Sequence, residues 1–128
     1  MKYFIEKDTN YPFETAVQKI TEAMNKEGFG ILARRDMHKT FKDKLNVDFR
    51  NYTILEACNP LAAYEAIKRE DNIGILLPCN VVVQQTGDGK TKVAIVNPPA
   101  AMQGVENPEM KELASEAQTR LQDALNTI

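Results

Sequence analysis

The chain has 128 residues, the length of one ordinary domain and too short for two. Its 16 Lys and Arg residues against 18 Asp and Glu residues give a net charge of −2, which argues against a dedicated nucleic-acid-binding protein. There is no apolar run of the roughly 20 residues that cross a bilayer, no signal-peptide pattern and no cysteine-rich disulfide framework. We therefore expect a single domain over residues 1–128, located in the cytoplasm and without a membrane partner.

Strand and helix patterns alternate along the chain. Short β-favouring runs predict strands, and apolar residues that recur every three or four positions predict helices. In chain order the patterns predict a strand (Lys2–Asp8), a helix (Pro12 to Gly28), a strand (Phe29–Arg35), a short helix (within Asp36–Asp48), a strand (Asn51–Cys58), a helix (from Pro60 to about Arg69), a short apolar run (Ile73–Leu77), a hairpin (Cys79–Thr86 and Thr91–Asn97) and a long helix from Pro108.

Helix ends carry recognisable signals. Gly28 is typical of the residue that follows a helix, where a positive φ is needed. Asn59-Pro60 and Asn107-Pro108 both pair a capping side chain with a proline suited to the first helical position. In the helix that begins at Pro60, the apolar spacing predicts a buried face, made up of Leu61, Ala63, Tyr64 and Ile67.

The hairpin and the short connections favour an α+β fold over a parallel, doubly wound sheet. We expect a single, mostly antiparallel sheet with two long helices packed on one face. Consecutive apolar pairs such as Ile31-Leu32 and Ile54-Leu55 place apolar side chains on both faces of this sheet. The second face must then be covered by short elements, by a partner subunit or by an apolar ligand, and a homodimer is the expected partner arrangement.

Two cysteines could carry chemistry. Cys58 precedes the predicted helix at Asn59-Pro60, where the helix N-terminus favours a thiolate, and Cys79 begins the hairpin next to Asn80. If the two strands are neighbours, both sulfurs reach the same rim of the sheet. Each cysteine can alternatively be a small buried hydrophobic residue. The sequence has no CxxC pair, the spacing that would indicate a thioredoxin-type redox motif or a zinc site.

His38 is the only histidine and lies among Lys39, Lys42 and Lys44. Together with the two cysteines it would complete three ligands for zinc or copper, but the neighbouring positive charges disfavour a cation. A histidine that is solvated or packed against a helix is the alternative. The segment from Arg34 to Arg50 has three more basic than acidic residues, so it could either attract a small anion or form a solvated face.

Four segments resemble the domain-of-unknown-function 302 family: Gly28–Gly30, Lys44–Tyr52, Ala57–Pro60 and Leu77–Val83. The resemblance covers nearly the whole chain and implies a small α+β fold similar to that of the TATA-binding protein, in a cytoplasmic and often dimeric protein. It implies no activity, and a fold shared with a DNA-binding protein does not imply DNA binding. The family's motif residues correspond to Cys58, Asn59, Cys79 and Asn80 here.

These observations favour a non-enzymatic homodimer that binds a small ligand or a partner at the rim of the sheet. The candidate ligand-binding residues are Cys58, Asn59, Cys79, Asn80 and His38. No catalytic or metal-binding residue is assigned, and the sequence names no cofactor. The alternative is a thiol-based redox or transition-metal-handling protein that uses Cys58 and Cys79.

Overall fold

A computed structural model describes residues 1–128 and contains one five-stranded sheet and five α-helices. The elements, in chain order, are β1 (Phe4–Thr9), α1 (Phe13–Lys26), β2 (Gly30–Asp36), α2 (Met37–Leu45), β3 (Tyr52–Cys58), α3 (Pro60–Arg69), a 3₁₀ helix (Asp71–Leu76), β4 (Cys79–Gly87), β5 (Lys90–Val96), α4 (Pro98–Ala101) and α5 (Pro108–Thr127). No helix combines the length and the apolar composition that a bilayer span requires.

All neighbouring strands are antiparallel, in the order β1-β5-β4-β3-β2. The main core lies between one face of the sheet and the helices α1 and α5. Its members are the apolar side chains of alternate strand positions and of the inner faces of these two helices, including Leu55, Val83, Ile95, Ile20 and Leu121. The predicted α+β class, with a single antiparallel sheet and two long helices on one face, is therefore confirmed.

The predicted buried face of α3 is wrong. Leu61, Tyr64 and Ile67 are 71%, 60% and 46% exposed, and Ala66 is the helix's one buried residue. The reason is that α3 contacts α5 and the 3₁₀ helix, and Ala66 packs there in a small cluster with Ile73 and Met110. A narrow contact of this kind buries an alanine and leaves the large side chains of the apolar stripe in solvent.

The second face of the sheet has apolar side chains at its centre. Ile54, Val82 and Ala94 are aligned across three neighbouring strands and are only partly buried. Leu32 lies at a register shift between β2 and β3 and is 66% exposed. The expectation that apolar residues occupy both faces is thus met, while the main core lies on the other face, beneath α1 and α5.

Candidate functional site

A cavity of about 190 Å³ opens between α3, α4, α5 and the adjoining ends of β3 and β4. Most of its lining is apolar, including Phe29, Ala66, Met110 and Leu113. Because Ala57 and Cys79 belong to the sheet face that packs against the helices, the cavity lies on that face and not on the second face of the sheet. Members of both the main core and the small cluster around Ala66 and Met110 line it.

Both cysteines line this cavity. The antiparallel pairing of β3 and β4 sets Cys79, at the start of β4, opposite Ala57. The end of β3 and the start of β4 therefore lie side by side at one end of the sheet. Cys58 follows Ala57 directly. The register places both cysteines at the same end of the sheet, and Cys58 also lines the cavity because it ends β3 just before the chain turns into α3. Both cysteines are free and partly buried.

Asn59 also lines the cavity and is fixed by its role as a helix cap. Its Oδ1 accepts a hydrogen bond of 3.2 Å from the backbone N–H of Ala62, in the first turn of α3. Pro60 occupies the first helical position, as the sequence predicts. The cap holds the amide group of Asn59 in place and leaves its Nδ2 available to a ligand, since no hydrogen bond engages that atom.

Two predicted site residues lie outside the cavity. Asn80 is exposed and pairs with Glu56 on the other face of the sheet, because neighbouring residues along a strand point in opposite directions. His38 lies in α2, where its Nδ1 accepts a hydrogen bond from the backbone N–H of Tyr52 (3.0 Å) and its ring meets that of Phe13 edge to face. The structure brings together Cys58, Asn59 and Cys79, without His38 or Asn80.

The electrostatic environment keeps the Cys79 thiol protonated. Burial, and to a lesser extent the nearby Cys58, raise the pKa of Cys79 to about 11. A thiol in that state is a poor nucleophile and a poor metal ligand at neutral pH. In addition, no group of three or more His, Cys, Asp and Glu side chains is arranged to hold a metal ion.

We expect Cys79 to be nearly inert towards iodoacetamide in the folded protein at pH 8. Raising its pKa from 9 to about 11 lowers the thiolate fraction roughly 100-fold. Peptide mapping by mass spectrometry at several pH values would follow both cysteines separately, with the urea-unfolded chain as the control. Modification of Cys79 at the unfolded-state rate would contradict this account and favour the redox alternative.

The sequence prediction missed Arg120, a lining residue from α5. Leu113, Ala117 and Arg120 are separated by four and three positions, so they share one face of α5 and all line the cavity. The sequence predicted a long helix from Pro108, but the charged side chain on the same helical face as Leu113 and Ala117 was not considered. The signal that could have found it is an arginine at helical spacing from two apolar residues, three positions after Ala117.

Gly28 lies where Asn59 and Arg120 approach each other. Its φ of +88° ends α1 in a Schellman motif, in which the Phe29 N–H bonds to the Met24 carbonyl (2.9 Å). A Cβ at Gly28 would lie 3.1 Å from Asn59 Nδ2 and 3.6 Å from Arg120 Nη1. The glycine therefore closes the helix and also leaves room for the two polar side chains.

The basic segment between Arg34 and Arg50 does not form an open anion site. Arg34 pairs with Glu14 (2.7 Å) and Asp36 (2.9 Å), and the remaining ion pairs of the segment join Arg35 to Glu56, Lys39 to Asp36 and Lys42 to Asp48. Burial alone would raise the pKa of Asp36, but hydrogen bonds from Thr53 and Arg34 outweigh it and lower the pKa to about 2. Of the two interpretations, the structure favours a solvated face with internal ion pairs.

Comparison with known proteins gives a family and a fold. A crystal structure of an uncharacterized conserved protein, DUF302 from Bacillus stearothermophilus, matches with a TM-score of 0.91 and 28% sequence identity, over 98% of each chain. No curated protein matches. The family model described as Domain of unknown function DUF302 matches residues 5–128, and the chain therefore belongs to the DUF302 family.

Proposed function

We propose that this protein is a non-enzymatic binding domain that holds a small, largely apolar ligand in the cavity beside Cys58 and Cys79. The observation that carries the proposal is the cavity itself: about 190 Å³, with a mostly apolar lining and a few polar groups. An engineered protein cavity of about 150 Å³ binds benzene, so the volume here suits a ligand body of about eight non-hydrogen atoms.

The chemistry of the lining favours binding over thiol chemistry. The pKa of Cys79 is raised, which opposes thiolate formation. His38 bonds to Tyr52, at the opposite end of β3 from Cys58, so it is not placed to act as a base for either sulfur. The protonated Cys79 thiol behaves as a small apolar group and a weak hydrogen-bond donor. The redox alternative retains two supporting observations: both sulfurs line the same cavity, and Cys58 directly precedes the N-cap of α3.

Thermal unfolding in the presence of toluene tests the proposal. A ligand that binds only the native state at ten times its Kd adds about 1.4 kcal/mol of stability. For a chain of this length that corresponds to a rise in Tm of about 5 °C. A Tm that stays unchanged, or falls, up to the solubility limit of toluene would overturn the proposal.

We also propose that the protein acts as a homodimer in which α3 packs against α3 of a second copy. The exposed side chains of Leu61, Tyr64 and Ile67 form an apolar ridge, and large apolar side chains of this kind commonly mark interaction surfaces. Leu61 also lines the cavity, so a second copy seated on this ridge would help to close the cavity's outer wall. A symmetric pairing of like surfaces is the commonest form of oligomer.

Light scattering after size exclusion tests the dimer. We expect the wild-type protein to have twice the 14.4 kDa mass of one chain at micromolar concentration. Tyr64→Asp should have the mass of a single chain, because the dimer would bury an unpaired carboxylate. Leu32→Asp places the same charge on a similarly exposed position away from α3 and should remain dimeric. A monomeric wild-type protein, or a dimer lost only in Leu32→Asp, would rule out this interface.

A further inference from the structure

Arg120 is an unpaired cation at the mouth of the cavity. It makes no ion pair with any carboxylate and takes part in none of the side-chain hydrogen bonds, although it lines the cavity. By contrast, Arg34, Arg35 and Arg69 are each held by an acidic partner. A guanidinium group presents several fixed N–H donors, a geometry that matches a carboxylate.

A second donor lies next to it. Asn59 Nδ2 and Arg120 Nη1 are both close to the position that a Cβ of Gly28 would occupy, at 3.1 Å and 3.6 Å. The two nitrogens can be no farther apart than the sum of these distances, which one carboxylate group can bridge. Because the Oδ1 of Asn59 is already engaged by the N–H of Ala62, the amide is oriented with its NH₂ free.

We propose that the ligand is a small apolar carboxylate, whose charged group is bound by Arg120 and Asn59 while its apolar body fills the cavity. This inference rests on the proposed binding function and specifies the chemical class of the ligand. The apolar body contacts side chains such as Leu113, Met110 and Ala66, which supply no hydrogen bonds. The polar groups at the mouth then select the acid over a neutral molecule of the same shape.

Two acidic side chains, Glu65 and Glu116, also line the cavity, and only one of them repels a bound carboxylate. Glu65 is neutralised by Lys68 and Arg69, both at 3.1 Å. Glu116 precedes Arg120 by one helical turn and has no ion-pair partner, so it opposes an anion at the mouth. Replacing it by Glu116→Gln is therefore expected to tighten the binding of a carboxylate by a fewfold.

Calorimetric titration with benzoate and benzamide tests the assignment, because the two probes share one shape and differ in charge. Benzoate should bind about tenfold more tightly than benzamide to the wild-type protein. Arg120→Gln should remove this difference by weakening benzoate alone. Lys111→Gln removes an exposed positive charge of α5 that does not line the cavity, and it should leave both affinities unchanged.

Asn59→Asp provides a second variant that keeps the helix cap. Aspartate caps helices as well as asparagine does, so α3 should persist, while the NH₂ donor becomes a repelling carboxylate. Benzoate binding should weaken at least about tenfold and benzamide binding should change less than about threefold. Circular dichroism would confirm that the fold of each variant is retained.

The outcomes separate the two proposals. If benzamide binds as tightly as benzoate, or if Arg120→Gln leaves the benzoate affinity unchanged, the carboxylate assignment fails and the binding function stands. If neither probe binds and toluene causes no thermal shift, the binding function itself fails. A benzoate preference that is lost in both Arg120→Gln and Asn59→Asp supports the assignment.

Discussion

Leu121→Ala is expected to lower the free energy of unfolding by about 3 to 5 kcal/mol. Leu121 is 0% exposed and lies in α5, where it packs within the main core between the two long helices and the sheet. Truncation removes its buried apolar surface and leaves a cavity that α1 and the strands cannot fill without losing their own contacts. Urea unfolding followed by circular dichroism measures the change.

Leu32→Ala is the matched control. Leu32 is 66% exposed, so the same truncation should change the free energy of unfolding by less than about 0.5 kcal/mol. Equal losses in the two variants would show that the core does not lie between the sheet and α5. An unchanged stability in Leu121→Ala would lead to the same conclusion.

Ala117→Phe is expected to abolish the binding of toluene and benzoate without unfolding the protein. Ala117 is a partly buried lining residue on α5, and a phenyl ring at this position would occupy the space of the ligand body. The open side of the cavity leaves the ring room to enter without displacing the core, so we expect a loss of stability below about 2 kcal/mol. The thermal shift caused by toluene should vanish.

Ala94→Phe makes the same change on the second face of the sheet, where Ala94 is also partly buried. It should retain the full thermal shift with toluene. If Ala117→Phe binds the probes with wild-type affinity, the ligand does not occupy this cavity. Loss of binding in both variants would instead indicate a general effect on stability.

Much of the fold follows from local signals in the chain. Asn59-Pro60 and Asn107-Pro108 begin helices because an asparagine side chain caps the first turn and a proline needs no hydrogen bond there. Gly28 ends α1 because its φ is positive. These signals act within a few residues, so they can be interpreted without knowing the tertiary packing.

The site could be predicted only in part, because its walls come from distant parts of the chain. Sequence patterns predicted the strands that end at Cys58 and begin at Cys79, but not that these strands are neighbours, because α3 and the 3₁₀ helix separate them along the chain; the pairing of β3 with β4 in the structure supplies that condition. The exposure of Leu61 depends on which face of α3 packs against α5. The position of Arg120 in the cavity lining depends on the same contact between the two helices. Periodicity gives the width of an apolar stripe and not the neighbour that covers it.

The methionine methyl NMR spectrum during a toluene titration tests the central claim, ligand binding in this cavity, most directly. Met102 and Met110 line the cavity, whereas Met24 lies in the main core and Met37 in α2. With ¹³C-methyl-labelled methionine, the resonances of Met102 and Met110 should shift and saturate together, while those of Met24 and Met37 stay in place. An unresponsive pair at Met102 and Met110, or equal shifts at all four methyl groups, would contradict the account.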